Sequence, residues 1–257
     1  LGDVYKRQPD EHTYMLGDKE LSGITSVIGR QLFPDKYRDV PEDVLRKAAE
    51  RGTMIHSICE LIDDIGITHD SDEAQGYKEL KDDWGLRYEC SEYLVSDNEH
   101  YASCIDKVYR ENETDFTLGD IKTTYVLDKE SVRWQLSIYA YLFELQNPGC
   151  NAVRLIGIWL RGKNHEIVEV ERIPSEIVIN LLKCDLEGRQ FVNPYSISPV
   201  TLPDEYRKME RTIQEIVSQA KYWSDKKKEI TDGVMMAMVE AGEYSWKGDI
   251  ISFTRKK

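Results

Sequence analysis

The apolar pattern of this chain changes period twice between Tyr88 and Ile173, and that change limits the folds open to it. Three segments, "YECSEYLVS" (88–96), "YASCIDKVYR" (101–110) and "DFTLGDIKTTYV" (115–126), read as strands separated by the polar turns "DNEH" and "ENET". "ESVRWQLSIYAYLFEL" (130–145) then switches to helical spacing, and "NPG" closes it. "AVRLIGIWLR" (152–161) returns to a buried-strand pattern and pairs across "GKN" with "HEIVEVERI" (165–173). A helix between two sets of strands predicts an α/β fold: a central mixed sheet with helices on its faces.

Upstream, "HTYMLGDKELSGITSVI" (His12–Ile28) alternates around "GDKE" and predicts a short hairpin leading into a polar turn, with Pro34–Arg38 irregular. From Pro41 the apolar residues fall at helical spacing: Val44, Leu45, Ala48, Met54, Ile55, Ile58, Leu61 and Ile62. Pro41 followed by Glu42 and Asp43 suits a helix start, Gly52 marks a break or a close approach, and Gly66 ends the segment. Asp72–Leu86 is a second, acidic helical stretch. Beyond Pro203 the texture changes to a charge-laced amphipathic helix, then a short helix and two small strands. The expected organisation is a core domain over 9–203 and a C-terminal helical appendage over 204–257. "LGDVYKRQ" (1–8) resembles translated adaptor sequence and is expected to be foreign to the fold.

A chain of 257 residues that is 40% hydrophobic can bury a sizeable core. No apolar run approaches the ~20 residues of a membrane helix, and no leader resembles a signal peptide, so a soluble cytoplasmic protein without a membrane partner is expected. The five cysteines, Cys59, Cys90, Cys104, Cys150 and Cys184, form no C-x-x-C pair and indicate neither a disulfide framework nor a zinc knuckle. A net charge of −13 argues against a protein that coats nucleic acid non-specifically, while leaving room for a local basic channel.

Three acid-x-lysine triplets occur in the chain. Glu79-Leu80-Lys81 and Asp225-Lys226-Lys227 lie in charged helical stretches and read as solvated faces. Asp120-Ile121-Lys122 lies on an apolar strand, where period two puts Asp120 and Lys122 on one face and Ile121 on the other. A buried carboxylate is costly unless paired or bound to a metal, and an internal Asp–Lys ion pair satisfies that condition as well as an active site does. Asp106, between Ile105 and Val108 on the preceding strand, can lie beside Asp120 across an antiparallel pair. Two adjacent carboxylates repel, and a divalent cation resolves the conflict. Lys122 would stand beside it, to orient or help deprotonate a water or to stabilise phosphoryl charge. His56 and Glu60 share a helix face, as do Gln135 and Tyr139 on the later helix. Each of these pairs alone has an ordinary structural explanation.

Their order is more specific. "RGTMIHSICE … SEYL … ASCIDKVY … LGDIKTT … WQLSIYAYLF" resembles the RecB-like branch of the PD-(D/E)xK nuclease superfamily over about residues 51–143. The N-terminal hairpin is similar to that of phage-type exonucleases. The resemblance implies a restriction-endonuclease-like core. It implies a Mg²⁺- or Mn²⁺-dependent deoxyribonuclease, of exonuclease type, serving phage or prophage DNA recombination or processing. It makes His56, Asp106, Asp120 and the Ile121 carbonyl metal ligands, Lys122 the catalytic lysine, and Gln135 and Tyr139 the auxiliary motif. Glu60 and Glu92 become outer-shell ligands or DNA contacts, and Arg51, Lys107, Arg133 and Trp134 are candidates to line a DNA cleft. Ala102-Ser103-Cys104 departs from the glycine that relatives often carry before Asp106. Cys150 and Cys184 stand alone, so no iron–sulfur cluster is expected. Partners implied are DNA ends, a recombinase or single-strand-binding protein, and further copies of the chain. The rivals are a structure-specific or restriction-like endonuclease and a nucleic-acid-binding module with a dead site.

Overall fold

The computed structural model describes residues 4–8, 13–38, 40–67, 69–196, 204–248 and 251–254, with the backbone alone at 4–8 and at several positions of 204–221. Two compact units divide the chain, Leu1–Asn193 and Pro194–Lys257. The expected leader falls partly outside the described residues. Its remainder, β1 (Val4–Gln8), pairs antiparallel with β2 (Thr13–Leu16). β2 and β3 (Lys19–Gly23) form the expected hairpin about Gly17, whose φ of 57° suits a residue without a side chain. His12, the expected start of that hairpin, lies outside the described residues.

β3 leads into a helix, not the expected polar turn. In α1 (Ile24–Leu32) the buried residues Ile24, Val27, Ile28 and Gln31 recur at three- and four-residue steps. α2 runs without a break from Glu42 to Ile65 and ends on Gly66 in the left-handed conformation. Gly52 does not interrupt it; a Cβ there would sit 3.7 Å from Thr123 Oγ1, so the glycine marks an approach to the chain just after Lys122. α3 (Asp72–Asp83) is capped by Ser71 Oγ, which accepts from Ala74 N at 3.3 Å.

β4 (Tyr88–Ser96), β5 (Tyr101–Arg110), β6 (Asp115–Lys122), α4 (Lys129–Gln146), β7 (Asn151–Arg161) and β8 (Asn164–Glu169) come next, in the expected order. β6 stops earlier than its pattern suggests, and Tyr125 and Val126 are exposed in the loop beyond it. α4 crosses from β6 to β7, which run parallel, while β5–β6 and β7–β8 are antiparallel. A mixed sheet of eight strands results, in the order β1-β2-β3-β5-β6-β7-β8 with β4 on the other edge of β5. Helices flank it on both faces, so the protein is a mixed α/β fold. α2 and α3 bury Ile55, Ile58, Tyr77 and Leu80 against Tyr109, Ile121 and Ile158. On the opposite face α4 comes close because of Gly157, where a Cβ would lie 3.0 Å from Val132 Cγ1. α5 (Ser175–Leu186) completes the unit, with Val178, Leu181 and Leu182 buried.

The second unit is one continuous helix, α6 (Asp204–Glu240), followed by β9 (Ser245–Lys247) paired antiparallel with β10 (Ser252–Thr254). The expected break at Asp232-Gly233 is absent; a glycine inside a helix costs about 1 kcal/mol but does not stop it. Among the described residues no helix is long and apolar enough to cross a membrane.

Candidate active site

The site lies where the sheet splits. β5 offers one edge to both β6 and β3: Lys107–Arg110 pair with β6, and Tyr101–Ala102 pair with β3. The β5–β6 ladder ends at Lys107–Gly119, so Asp106 and Asp120 face each other at the point where the strands part. The Ile121 N–H donates to Asp106 Oδ2 at 2.7 Å and so finds a side-chain acceptor where the ladder ends.

His56, on α2, meets this point from the side. Its Nε2 lies 3.1 Å from the Ile121 carbonyl, which can only accept, so Nε2 carries the proton. In the neutral ring Nδ1 is then the lone-pair nitrogen, and it stands 3.7 Å from Asp106 Oδ1, too far for a hydrogen bond. Glu92 joins from β4, cross-strand from Asp106 in the register set by Ser91–Lys107 and Tyr93–Ile105. Its φ of 49° is a left-handed conformation that costs a non-glycine residue on the order of 1 kcal/mol and turns it off the regular strand. Ligand atoms of His56, Glu92 and Asp106 all lie within 4.8 Å of one another. Opposite ligands around an ion of ~2.1 Å bond length stand about 4.2 Å apart, so a small closure makes these three one shell.

Asp120 is 1% exposed and is held from the α4 side. Gln135 Nε2 donates to Asp120 Oδ1 at 2.7 Å and to Tyr139 Oη at 2.8 Å, while Gln135 Oε1 accepts from Lys122 Nζ at 3.0 Å. Lysine only donates, so it fixes the amide carbonyl toward itself and the NH₂ toward Asp120. Ser103 Oγ donates to Tyr139 Oη at 3.1 Å, tying α4 back to β5. Lys122 Nζ is also 2.7 Å from Asp120 Oδ2, an ion-pair contact off the ideal hydrogen-bond direction, and Oδ2 has no other donor among the described residues. A buried carboxylate oxygen in that condition, beside a His–Glu–Asp donor set, fits a hard divalent cation.

The electrostatics reflect this crowding. The Asp106 carboxyl is pushed up to about 6, chiefly by burial and also by the Asp120 charge; His56, Lys122 and the Ile121 N–H offset only part of it. For Lys122 burial works against the charge, but Asp120 and Asp106 outweigh it and hold the ammonium above its ordinary range. Burial, then Asp120 and Asp106, raise the Tyr139 phenol, so it stays protonated. Native Asp106 therefore keeps a proton between pH 3.8 and about 6, where the unfolded chain has released it. Its contribution to stability is present below that window and is lost as pH rises through it. In chelator-treated protein, the parent is expected to lose stability relative to Asp106→Asn as pH rises from about 4 to 7. Urea midpoints at several pH values check this, and parallel curves for the two proteins would contradict it.

The remaining sequence candidates fall elsewhere. Glu60, one turn beyond His56, is half-buried and outside the His56–Glu92–Asp106 cluster. Arg51 is paired with Glu73, which also accepts from Gly162 N at 2.8 Å, and so ties α2 to α3. Arg133 donates to the Glu171 carbonyl at 2.9 Å. Trp134 is fully buried, edge-on to Phe191 at 5.7 Å, and so cannot stack on a base. Lys107 is also buried: period two turns it away from Asp106, to the face under α2 and α3.

There it belongs to a cluster the sequence did not reveal. Asp63 Oδ2 accepts from Lys107 Nζ at 2.7 Å and from Tyr77 Oη at 2.6 Å, and Oδ1 is paired with Lys81. Lys107 Nζ also donates to Ser91 Oγ at 2.8 Å, and Tyr77 and Tyr109 hydroxyls are 3.0 Å apart. Asp63 lies two helical turns beyond His56, on the same side of α2, and that spacing was the available signal.

No family model and no curated protein matches the chain. Among solved structures, one titled "Crystal structure of SSO0001" is similar at a TM-score of 0.40 and 14% identity, covering 67% of this chain and 78% of that one. A likeness that loose carries no inference about chemistry.

Proposed function

We propose that the chain is a divalent-metal-dependent deoxyribonuclease of the PD-(D/E)xK type, RecB-like branch. We propose further that it acts as an exonuclease on DNA ends in phage or prophage recombination or processing. The observation that carries this is the convergence, at the split between β5 and β6, of an Asp106–Asp120 pair, the His56 imidazole and the Lys122 ammonium. A purely structural Asp–Lys pair would not need a second carboxylate, Asp106, whose proton affinity is raised beside it.

His56 Nδ1, Asp106 and Glu92, joined by Asp120 Oδ2 from its contact with Lys122, are the groups that would hold Mg²⁺ or Mn²⁺. Of the proposed ligands, the Ile121 carbonyl already accepts from His56, so its share would rest on its second lone pair. When bound, the cation would polarise the scissile phosphate and lower the pKa of a water. Lys122 is an ammonium at neutral pH and cannot take a proton. It therefore serves as a donor and positive charge toward the attacked phosphate, not as the base. Gln135 holds that ammonium and Asp120 in one arrangement, and Tyr139 and Ser103 hold Gln135.

Incubation with linear and covalently closed circular DNA, in Mg²⁺ or Mn²⁺, tests the exonuclease assignment. Linear DNA is expected to shorten from its ends while closed circles survive. Cutting of the circles would show an endonuclease instead, and no cleavage of either would remove the enzymatic reading altogether.

A further inference from the structure

One stripe along α6 keeps a strict repeat, with Val217, Tyr222, Met236 and Val239 the exposed apolar residues outside it. Met209, Ile213, Ile216, Ala220 and Trp223 succeed one another at alternating steps of four and three. Lys227, Ile230, Val234 and Ala237 continue the same alternation to the helix end. That is a 3.5-residue period sustained over about four heptads, the length at which a two-helix coiled coil becomes a sound expectation. A helix lying on a globular core drifts by about 20° per heptad from such a repeat and does not need to keep it. The large members are bare: Met209, Ile213, Ile216, Trp223 and Ile230 are each between 58% and 65% exposed. Charged residues fall outside the stripe, at Arg211, Glu215, Lys221, Asp225, Lys228 and Asp232.

We propose that α6 pairs with α6 of a second copy of this chain in an antiparallel coiled coil. The stripe itself decides the direction. Parallel and in register, Lys227 would face the partner's Lys227 inside the seam, Trp223 would meet the partner's Trp223, and Ala220 would meet the partner's Ala220 across a gap. Two ammonium groups in one apolar layer repel, and stacking large on large and small on small packs badly. Antiparallel, about a point between Ala220 and Trp223, every layer is complementary. Trp223 fills the space over the partner's Ala220, Ile213 meets the partner's Ile230, and Met209 meets the partner's Val234. Lys227 lies along the partner's Ile216, its stem in the seam and its ammonium in water. The pairing requires nothing of the proposed cleavage chemistry.

Sedimentation equilibrium of the whole chain over a range of concentrations is expected to show a dimer. Ile213→Glu and Trp223→Glu, which put a charge against an apolar layer of the seam, should each raise its dissociation constant by about 100-fold or more, with the far-ultraviolet circular dichroism unchanged. Direction is read by oxidation of single-cysteine variants above the parent's own background. A mixture of Met209→Cys and Val234→Cys proteins should give the mixed disulfide, and neither protein alone should crosslink to itself. A monomer at every concentration would overturn the proposal. So would a dimer indifferent to both glutamate variants, or disulfides of Met209→Cys with itself.

Discussion

Asp120→Asn is expected to lower the DNA cleavage rate by at least about 10²–10³-fold, the range seen when one group that stabilises a transition state is removed. It should do so with little change in fold. Asparagine keeps the shape of the side chain, and its carbonyl can still accept from Gln135 Nε2, the bond that ties β6 to α4. What is lost is the negative oxygen that sits against Lys122 and has no other donor among the described residues. In its place an NH₂ group faces an ammonium, two donors with nothing between them. Both cation binding and the position of Lys122 should suffer. Lys122→Met separates the two roles. It removes the ammonium and keeps Asp106, Asp120 and His56, so Mn²⁺ binding measured by calorimetry should persist while cleavage falls by a similar factor. If both variants cleave as the parent does, the assignment of roles is wrong.

Asp63→Ala is expected to produce the largest loss of stability in the chain. The residue accepts from Lys107 and Tyr77 and is paired with Lys81 in a part of the core that water does not reach. Lys107 is 1% exposed, and without Asp63 its charge would keep the Ser91 hydroxyl and the Tyr77 and Tyr88 rings but no counter-charge at hydrogen-bond distance among the described residues. Removing one member of a buried ion pair costs about 3–5 kcal/mol, because the other is left uncompensated. In a unit of this size that is a fall in Tm of roughly 10 °C. The double variant Asp63→Leu with Lys107→Met removes both charges and should recover most of the loss. Thermal and urea unfolding of the three proteins would show this, and an Asp63→Ala midpoint equal to the parent's would contradict it. The cluster also bears on the site: Asp63 fixes α2 against β5 and β4 two turns from His56, so activity should weaken together with stability.

Much of this is legible in the sequence, for a physical reason. β5, β6 and β7 lie close to where their patterns place them, because largely buried strands leave apolar runs between polar turns, and half-buried β4 is set off by the turn after it. Asp106 and Asp120 can be set side by side from the length of one turn, and the β5–β6 register brings them there. Gln135 and Tyr139 need only helical spacing to reach the same end of β6.

The misses share a cause: periodicity tells which residues lie on the same face, not which face another element will cover. Lys107 and Trp134 are sequence neighbours of Asp106 and Gln135, and that nearness makes them look like cleft residues. One position along a strand is the opposite face, and one position along a helix is a turn of about 100°, so both end in the core. Arg51 finds an acid, Glu73, on a helix whose placement no local pattern encodes. Glu92 comes within reach of Asp106 through a left-handed backbone that alternation cannot announce. α1 is hidden because its nine residues, β-branched in part, continue a strand without a break in apolar character.

His56, Asp106, Asp120 and Lys122 are proposed to form one metal-dependent cleavage centre. The most direct test is a single assay: end-labelled linear DNA, single- and double-stranded, with chelator-treated protein before and after Mg²⁺ or Mn²⁺ is returned. The proposed centre predicts no cleavage by the stripped protein, recovery on adding the metal, and no recovery for Asp120→Asn. Cleavage that continues in excess chelator, or none on any DNA with either metal, would contradict it.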